Sequence, residues 1–247
     1  STLVVSISDI QAGKVGSRGG TPELIARLEE KHELLEQSIR DRRPEDLVLA
    51  DPGDIFEGFN SGGNPMFTND MSLTQQMDFA GTWIFRFVSM MQKYGHVKVL
   101  AVPSNHTAWR NGKQHLGNPQ DDLGLYVHKQ TEKLAIASGL DAEWVFPDDY
   151  QESLCVDVRG FGLGVVHGNQ YAPKGEDSWW MGQVHGGGPV SDADILLAGH
   201  YHHLSVHPSG KSSVNGKSKW FIQSPTLDNG SDFYRMAKGW DSDPGLL

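Results

Sequence analysis

Two histidines set two residues apart, His200 and His202, follow the apolar run Ile195-Leu196-Leu197-Ala198 and a glycine. The run reads as a buried strand. In extended chain residues i and i+2 point to one side, so both imidazoles can face one point in space. Imidazoles at the mouth of a strand suit a transition metal. Four more apolar runs end in residues of metal-ligand type: Asp9 with Gln11, Asp54, Asn105 with His106, and His167. In α/β sheets, ligands gather outside the carboxyl ends of strands, where the chain leaves the sheet. A histidine after a strand is more often a hydrogen-bonded edge residue, and Gly-Asp is a common turn. The reading therefore rests on all five strand ends together.

The elements that must position these residues alternate through the first half of the chain. A strand over 3–8 leads into a glycine-rich loop ending at Gly20. Thr21-Pro22-Glu23 is a helix start, with Thr21 as N-cap and Pro22 first in the helix. Leu24, Leu28, Leu35 and Ile39 mark one face of a helix reaching about residue 40. A strand over 46–50, a helix from residue 70 and a strand over 97–102 follow. A long polar loop over 107–120 precedes a helix from Asp121 or Asp122 to residue 138. The second half is richer in strands: 144–146, 154–158, 161–166 and 194–198, with a hairpin at Arg159-Gly160. A helical turn is expected over 177–184. A closing antiparallel pair, 204–207 with 219–223, is expected around a polar turn at Ser209-Gly210, and 241–247 reads as a tail. No repeat and no Pro/Ser-rich linker divides the chain, so residues 1–247 are expected to form one domain. Two sheets packed face to face with helices outside fit this order, and so does a doubly wound single sheet.

The formal charge of −10 argues against a surface that grips nucleic acid through broad basic patches. Carboxylates that hold divalent cations would account for part of it. Eleven histidines exceed ordinary usage and ask for a reason. No apolar run approaches the roughly 18 residues that span a membrane. The first residues lack a basic region and a long apolar region, so they read as a strand and not a signal peptide. The single cysteine, Cys155, excludes an internal disulfide and fits a reducing, cytoplasmic setting.

The order Asp9-x-Gln11, Gly53-Asp54, Asn105-His106, a lone His167, then Gly199-His200-x-His202 resembles the calcineurin-like metallophosphoesterases. The likeness spans Asp9 to His202. The closing stretch through Ser224-Pro225 resembles compact members carried by bacteriophages, which implies the cytoplasm of a bacterial host. The resemblance implies a four-layer αββα sandwich of two mixed β-sheets with flanking helices. It also implies two divalent cations about 3.5–4 Å apart. Asp54 would bridge them, with Asp9 and His202 on the first and Asn105, His167 and His200 on the second. His106 would be the catalytic proton donor near the leaving oxygen. The implied reaction is hydrolysis of a phosphate ester through a metal-bridging hydroxide. Mn²⁺ is the first expectation, with Mg²⁺, Fe and Zn²⁺ as alternatives.

Two positions depart from the pattern. Gln11 stands where the family usually has histidine. It either ligates through its amide oxygen, a harder and weaker donor that leans toward Mn²⁺ or Mg²⁺, or leaves the position to water. Thr107 follows His106 where an acid usually orients the imidazole, so another group must do this, with Asp70 and Asp78 as candidates that the sequence leaves open.

Other residues carry a functional and a plainer reading. Glu57 backs the metals or is a helix-start acid. Trp109, Arg110 and Lys113 hold a base and a phosphate, or form a solvated loop with one tucked Trp. Trp179-Trp180 overhangs the site or packs into a core. His203 is structural, and His32, His96, His115, His128 and His185 are surface residues. The expected substrate is a phosphodiester in DNA, RNA or a nucleotide, because the resemblance includes nucleases and the loop after His106 is aromatic and basic. The acidic balance pulls toward a small nucleotide or a phosphomonoester. A metal-binding scaffold inactivated through Gln11, or a nucleic-acid binding module, is the non-enzyme alternative. A scaffold has no use for His106, and a nucleic-acid module is at odds with the charge.

Overall fold

In a computed structural model, residues 1–59, 68–111, 114–212, 215–232, 235–236, 239 and 243–247 are described. In chain order the elements are β1 (Thr2–Ser6), α1 (Thr21–Arg42), β2 (Asp46–Asp51), α2 (Leu73–Met91), β3 (Val97–Ala101), β4 (Arg110–Asn111) and β5 (Gln114–His115). Then come α3 (Leu123–Ala137), β6 (Ala142–Val145), β7 (Ser153–Val158), β8 (Phe161–Val166), α4 (Glu176–Gly186), β9 (Ile195–Ala198), β10 (Ser205–Lys211) and β11 (Ser218–Gln223).

Side-chain alternation along the strands builds the layers. Leu47 and Leu49 of β2 and Val97 and Val99 of β3 pack with Leu28, Ile84, Phe87 and Val127 from α1, α2 and α3. The intervening Val48, Ala50 and Leu100 face the other way, onto Leu154, Leu163, Val165 and Leu197 of the second sheet. That sheet turns Val166, Leu196, Ala198 and Phe221 outward onto Trp180 of α4. Helices, sheet, sheet and helix therefore form four layers, with central strands such as β2, β3 and β9 burying both faces as period two allows. The first sheet runs β1-β2-β3-β6 and is parallel throughout, because its strands are joined by helical crossovers. Only the second sheet, β10-β11-β9-β8-β7, is mixed, with antiparallel pairs at both edges. The expectation of two mixed sheets holds for this sheet alone.

Several local expectations change. Gly20, not Thr21, caps α1. Glu23 accepts from the Gly20 N–H, and Asp70 accepts from the N–H and hydroxyl of Thr21. The Asp70 carboxylate thus serves the positive end of a helix. The loop over 107–120 contains the two-residue strands β4 and β5. Strand β10 continues past Ser209-Gly210 to Lys211. Within the stretch expected as a tail, the Leu247 carbonyl accepts from Ser6 N on edge strand β1, and Gly245 N donates to Thr226 O. Among the described residues, no helix is long and apolar enough to cross a membrane.

Candidate metal centre

Asp9, Asp54 and Asn105-His106 follow β1, β2 and β3, while His167 and Gly199-His200-x-His202 follow β8 and β9. Both sheets thus deliver the five strand ends anticipated from sequence to one end of the sandwich. Asp9, Gln11, Asp54, His200 and His202 all have positive φ, between 44° and 74°. Left-handed backbone costs a non-glycine residue energy and persists where surroundings over-determine it, commonly at functional sites. Backbone bonds between the loops do that here. Asp9 N donates to Gly53 O (3.1 Å), Gln11 N to Asp54 O (2.9 Å) and Gly199 N to His167 O (2.8 Å). Two glycines admit this crowding. A Cβ at Gly53 would lie 2.5 Å from Ser104 Cβ, and one at Gly199 would lie 2.5 Å from Ser8 Oγ.

Around Asp54, lone pairs converge. His167 is fully buried, and its Nδ1 donates to Pro52 O at 2.8 Å. Its Nε2 then faces Asn105 Oδ1 at 2.7 Å and Asp54 Oδ2 at 3.1 Å. Asp54 Oδ2 is buried and accepts no hydrogen bond. One ligand atom each from Asp54, His167 and His200 lies within 4.8 Å of the others. Either a second proton on His167 or a cation must sit among these atoms, and a carboxylate, an amide oxygen and two imidazoles make an ordinary divalent-ion donor set. The residues expected on the second ion therefore fit one. Burial, helped by the neighbouring His167, lowers His200 to about 4, so it is neutral and has a lone pair to give. Burial opposes ionisation of Asp54, but the histidines around it hold its carboxyl well below the ordinary range.

Around Asp9 the picture differs. Asp9 Oδ1 lies 3.1 Å from His202 Nε2, and both its oxygens accept from His200 N at 3.1–3.2 Å. Gln11 turns its oxygen to Lys14 Nζ at 2.5 Å and its NH₂ to His202 Nε2 at 3.5 Å. Lys14 also pairs with buried Asp228, whose Oδ2 is 3.5 Å from His202 Nδ1. Burial would raise the Asp228 carboxyl, yet the charges of Lys14 and His202 hold it well below its usual value. Lys14 and Asp228 were not anticipated. Asp228 follows β11, a sixth strand end with an acid, and that was the available signal.

His106 stands beside this centre with its side chain 17% exposed. Its Nδ1 faces Glu57 O at 2.8 Å and Glu57 Oε2 at 3.4 Å, and its Nε2 lies 3.8 Å from Asp54 Oδ2. Burial disfavours the imidazolium, but the charges of Asp54 and Glu57 outweigh it and raise His106 to about 9. Glu57 is therefore the group that orients His106. Asp70 caps α1 instead, and Asp78 is exposed. Thr107 donates to Asp122, the N-cap of α3, at 2.8–2.9 Å, and Asp122 also accepts from Ser104 N. Ser104 Oγ in turn accepts from Asp54 N. Burial pushes the Asp122 carboxyl up to about 6.

His128 is a correction: it lies in the interior, 1% exposed, with Nε2 2.6 Å from Asp51 Oδ2 and Trp144 Nε1 3.3 Å from its Nδ1. The other oxygen of Asp51 accepts from Gly53 N, so this pair braces the turn before Asp54. Trp109 is 44% exposed next to His106. Arg110 is half-buried on β4 and feels the Asp54 charge. Lys113 lies outside the described residues. Trp180 packs in the α4 core with its indole N–H on Val190 O, and Trp179 packs against Tyr171, which favours the structural reading of that pair.

No protein-family model matches the chain. No curated protein matches it. Solved structures do. One is a conserved uncharacterised protein from Streptococcus pneumoniae, described as a predicted phosphoesterase, at 11% identity over 91% of this chain and 72% of that one, TM-score 0.29. A protein of unknown function from Aquifex aeolicus matches at 11% identity over 81% and 79%, TM-score 0.32. A putative 5′-nucleotidase from Staphylococcus aureus matches at 13% identity over 92% of this chain and 49% of its own, TM-score 0.35. Residue roles rest on the geometry above and not on these likenesses.

Proposed function

We propose that this chain is a divalent-metal-dependent phosphoesterase whose cation is held by Asp54, Asn105, His167 and His200. The observation that carries the reading is the convergence of Asp54 Oδ2, Asn105 Oδ1 and His167 Nε2, with His167 Nδ1 already committed to a carbonyl. Mixed imidazole, amide and carboxylate donors suit Mn²⁺ and leave Fe, Zn²⁺ and Mg²⁺ as competitors. A divalent ion there supplies neutralising charge for phosphoryl oxygens and acidifies a water.

The chain's own residues supply the rest. Pro52 O fixes the His167 tautomer, and Ser104 and the His106 N–H fix the Asp54 carboxylate and its backbone. His106, held by Glu57 through Nδ1, presents Nε2 to the site and donates its proton to the leaving oxygen. A scaffold without catalysis has no role for an imidazolium so placed.

The favoured substrate is a phosphodiester in a nucleotide or nucleic acid, ahead of a phosphomonoester. Exposed Trp109 and neighbouring Arg110 offer stacking and charge to a base and a phosphate. A cleft lined by Trp109, His115, Asn118 and Gln170 lies alongside. Bis-p-nitrophenyl phosphate, p-nitrophenyl phosphate, cyclic nucleotides and single-stranded DNA, each assayed with Mn²⁺, test the reading. Turnover of diesters ahead of the monoester supports it. No turnover of any by protein shown to hold metal refutes it.

A further inference from the structure

The two halves of the site are built differently. Around Asp54, Asp54 Oδ2 and Asn105 Oδ1 converge on His167 Nε2, while the His106 N–H is spent on the other Asp54 oxygen. Around Asp9 and His202 a cation is already present, because Lys14 Nζ lies 2.5 Å from Gln11 Oε1 and pairs with Asp228. An ammonium only donates, so Gln11 must give it the amide oxygen, which directs the NH₂ toward His202 Nε2 at 3.5 Å. The amide thus aims hydrogens toward His202 and commits its oxygen to the ammonium, so Gln11 offers no lone pair to a cation shared by Asp9, Gln11 and His202. A divalent ion bound to that amide oxygen would sit beside the ammonium and be repelled by it.

The placement of Lys14 is fixed by structure around it. Lys14 N donates to Gln11 O at 3.1 Å, closing a turn in which Gly13 has φ of 91°. A Cβ at Gly13 would lie 2.7 Å from Gln76 Cγ, so only glycine fits that turn without displacing a fully buried side chain. Asp228 is held by Gly230 N, which donates to its Oδ1 at 2.7 Å, and by its own N–H, which donates to Thr226 Oγ1 at 3.0 Å. The Lys14 side chain is 16% exposed, unlike a surface lysine resting on a neighbour.

We infer that Lys14 stands in for a second metal ion: the site takes one divalent cation, on the Asp54 side, and the Lys14 ammonium between Gln11 and Asp228 supplies the other positive charge. The inference rests on the phosphoesterase reading of the same site and goes beyond it in metal number and in a role for Lys14. It also gives Gln11 a function, as the neutral oxygen acceptor of that ammonium.

Metal stoichiometry tests it without reference to activity. Purified protein is dialysed against Mn²⁺, the bound metal is counted, and its paramagnetic resonance spectrum is recorded. The expected result is about one equivalent per chain with the spectrum of an isolated ion. Asn105→Ala is expected to weaken that ion by about 10–100-fold or more, while Gln11→Ala leaves it nearly unchanged. His200→Ala replaces Asn105→Ala if the latter fails to fold. The double variant Lys14→Met/Gln11→His is expected to take up a second equivalent. Two equivalents of similar affinity with an exchange-coupled spectrum in the native chain overturn the inference and leave the phosphoesterase reading intact. So does one equivalent that survives Asn105→Ala but is lost in Gln11→Ala. A double variant that gains no second ion counts against Lys14 as the occupant. A native chain that binds no ion overturns both.

Discussion

Replacing Glu57 by glutamine separates the two ways in which that residue holds His106. The backbone carbonyl 2.8 Å from Nδ1 survives the change, while the carboxylate 3.4 Å away loses its charge. Two unit charges 3.4 Å apart interact by about 5 kcal/mol at an effective dielectric of 20. Both charges are delocalised, and glutamine restores part of the polarity. We therefore expect a net effect of about 1.5–3 kcal/mol, or one to two pKa units downward. Burial disfavours the imidazolium and Asp54 and Glu57 favour it, giving about 9. A divalent ion on Asp54 cancels much of the Asp54 share, so the Glu57 share grows in relative weight. A proton donor with a raised pKa is charged below it and loses its proton as pH rises through it. Hence kcat/KM for a diester with a poor alkoxide leaving group should fall on the alkaline side, and in Glu57→Gln that limb should begin one to two units lower. A p-nitrophenyl ester, whose leaving group needs little protonation, should show a much smaller change. An alkaline limb that does not move, or that moves equally for both esters, would refute the assignment of His106 as a donor poised by Glu57.

Three further outcomes follow from the same geometry. His106→Ala should lower kcat by about 10²–10⁴ for alkoxide leaving groups with bound metal unchanged, measured by turnover beside metal analysis. Asp122→Ala should cost about 1–3 kcal/mol in urea unfolding, since it removes the α3 cap, orphans Ser104 N and leaves the Thr107 hydroxyl only its bond to Ser104 Oγ, whereas Asp122→Asn should retain most of it. The Asp122 carboxyl is raised from 3.8 to about 6, so its contribution is full below the lower value and is lost as pH rises through the upper; Asp122→Asn should flatten that part of the stability profile. His128→Leu should destabilise by about 3–5 kcal/mol, because it leaves the buried Asp51 carboxyl without its partner 2.6 Å away. Thermal unfolding at neutral pH checks this.

The strand ends were legible because each is a local event: an apolar run, a glycine or proline, then a polar ligand type. The layering was legible for a similar reason, since period-two strands and helical faces each mark what they bury. The partners of the site residues were not. Lys14 meets Asp228, 214 residues away in sequence, and no local pattern announces such a meeting. Glu57 acts on His106 through its backbone oxygen as well as its carboxylate, and sequence does not display carbonyl directions. His128 was readable and was missed. Gly124, His128, Thr131 and Ala135 repeat at helical spacing on the buried face of α3, but three of them are small or weakly apolar and do not stand out as a stripe. The antiparallel pair of β4 and β5 has two polar residues per strand, too few to show any period.

The five left-handed residues bind the loops of the site into one mutually supporting unit. At about 1–3 kcal/mol each, their backbone strain approaches the net stability of an ordinary domain. Such strain persists only if the loops cannot relax one at a time. Asp9 is tied to Gly53, Gln11 to Asp54, Asp54 to Ser104, Gly199 to His167 and His200 back to Asp9, so each loop is the support of the next across both sheets. Relaxing one would expose the buried Asp9 or Asp54 carboxylate and undo its neighbours. The same closure carries an electrostatic cost, because Asp9 and Asp54 repel one another in a buried setting. Lys14 and the surrounding imidazoles offset part of that repulsion within the chain, and the converging acceptors around His167 are where it remains unmet.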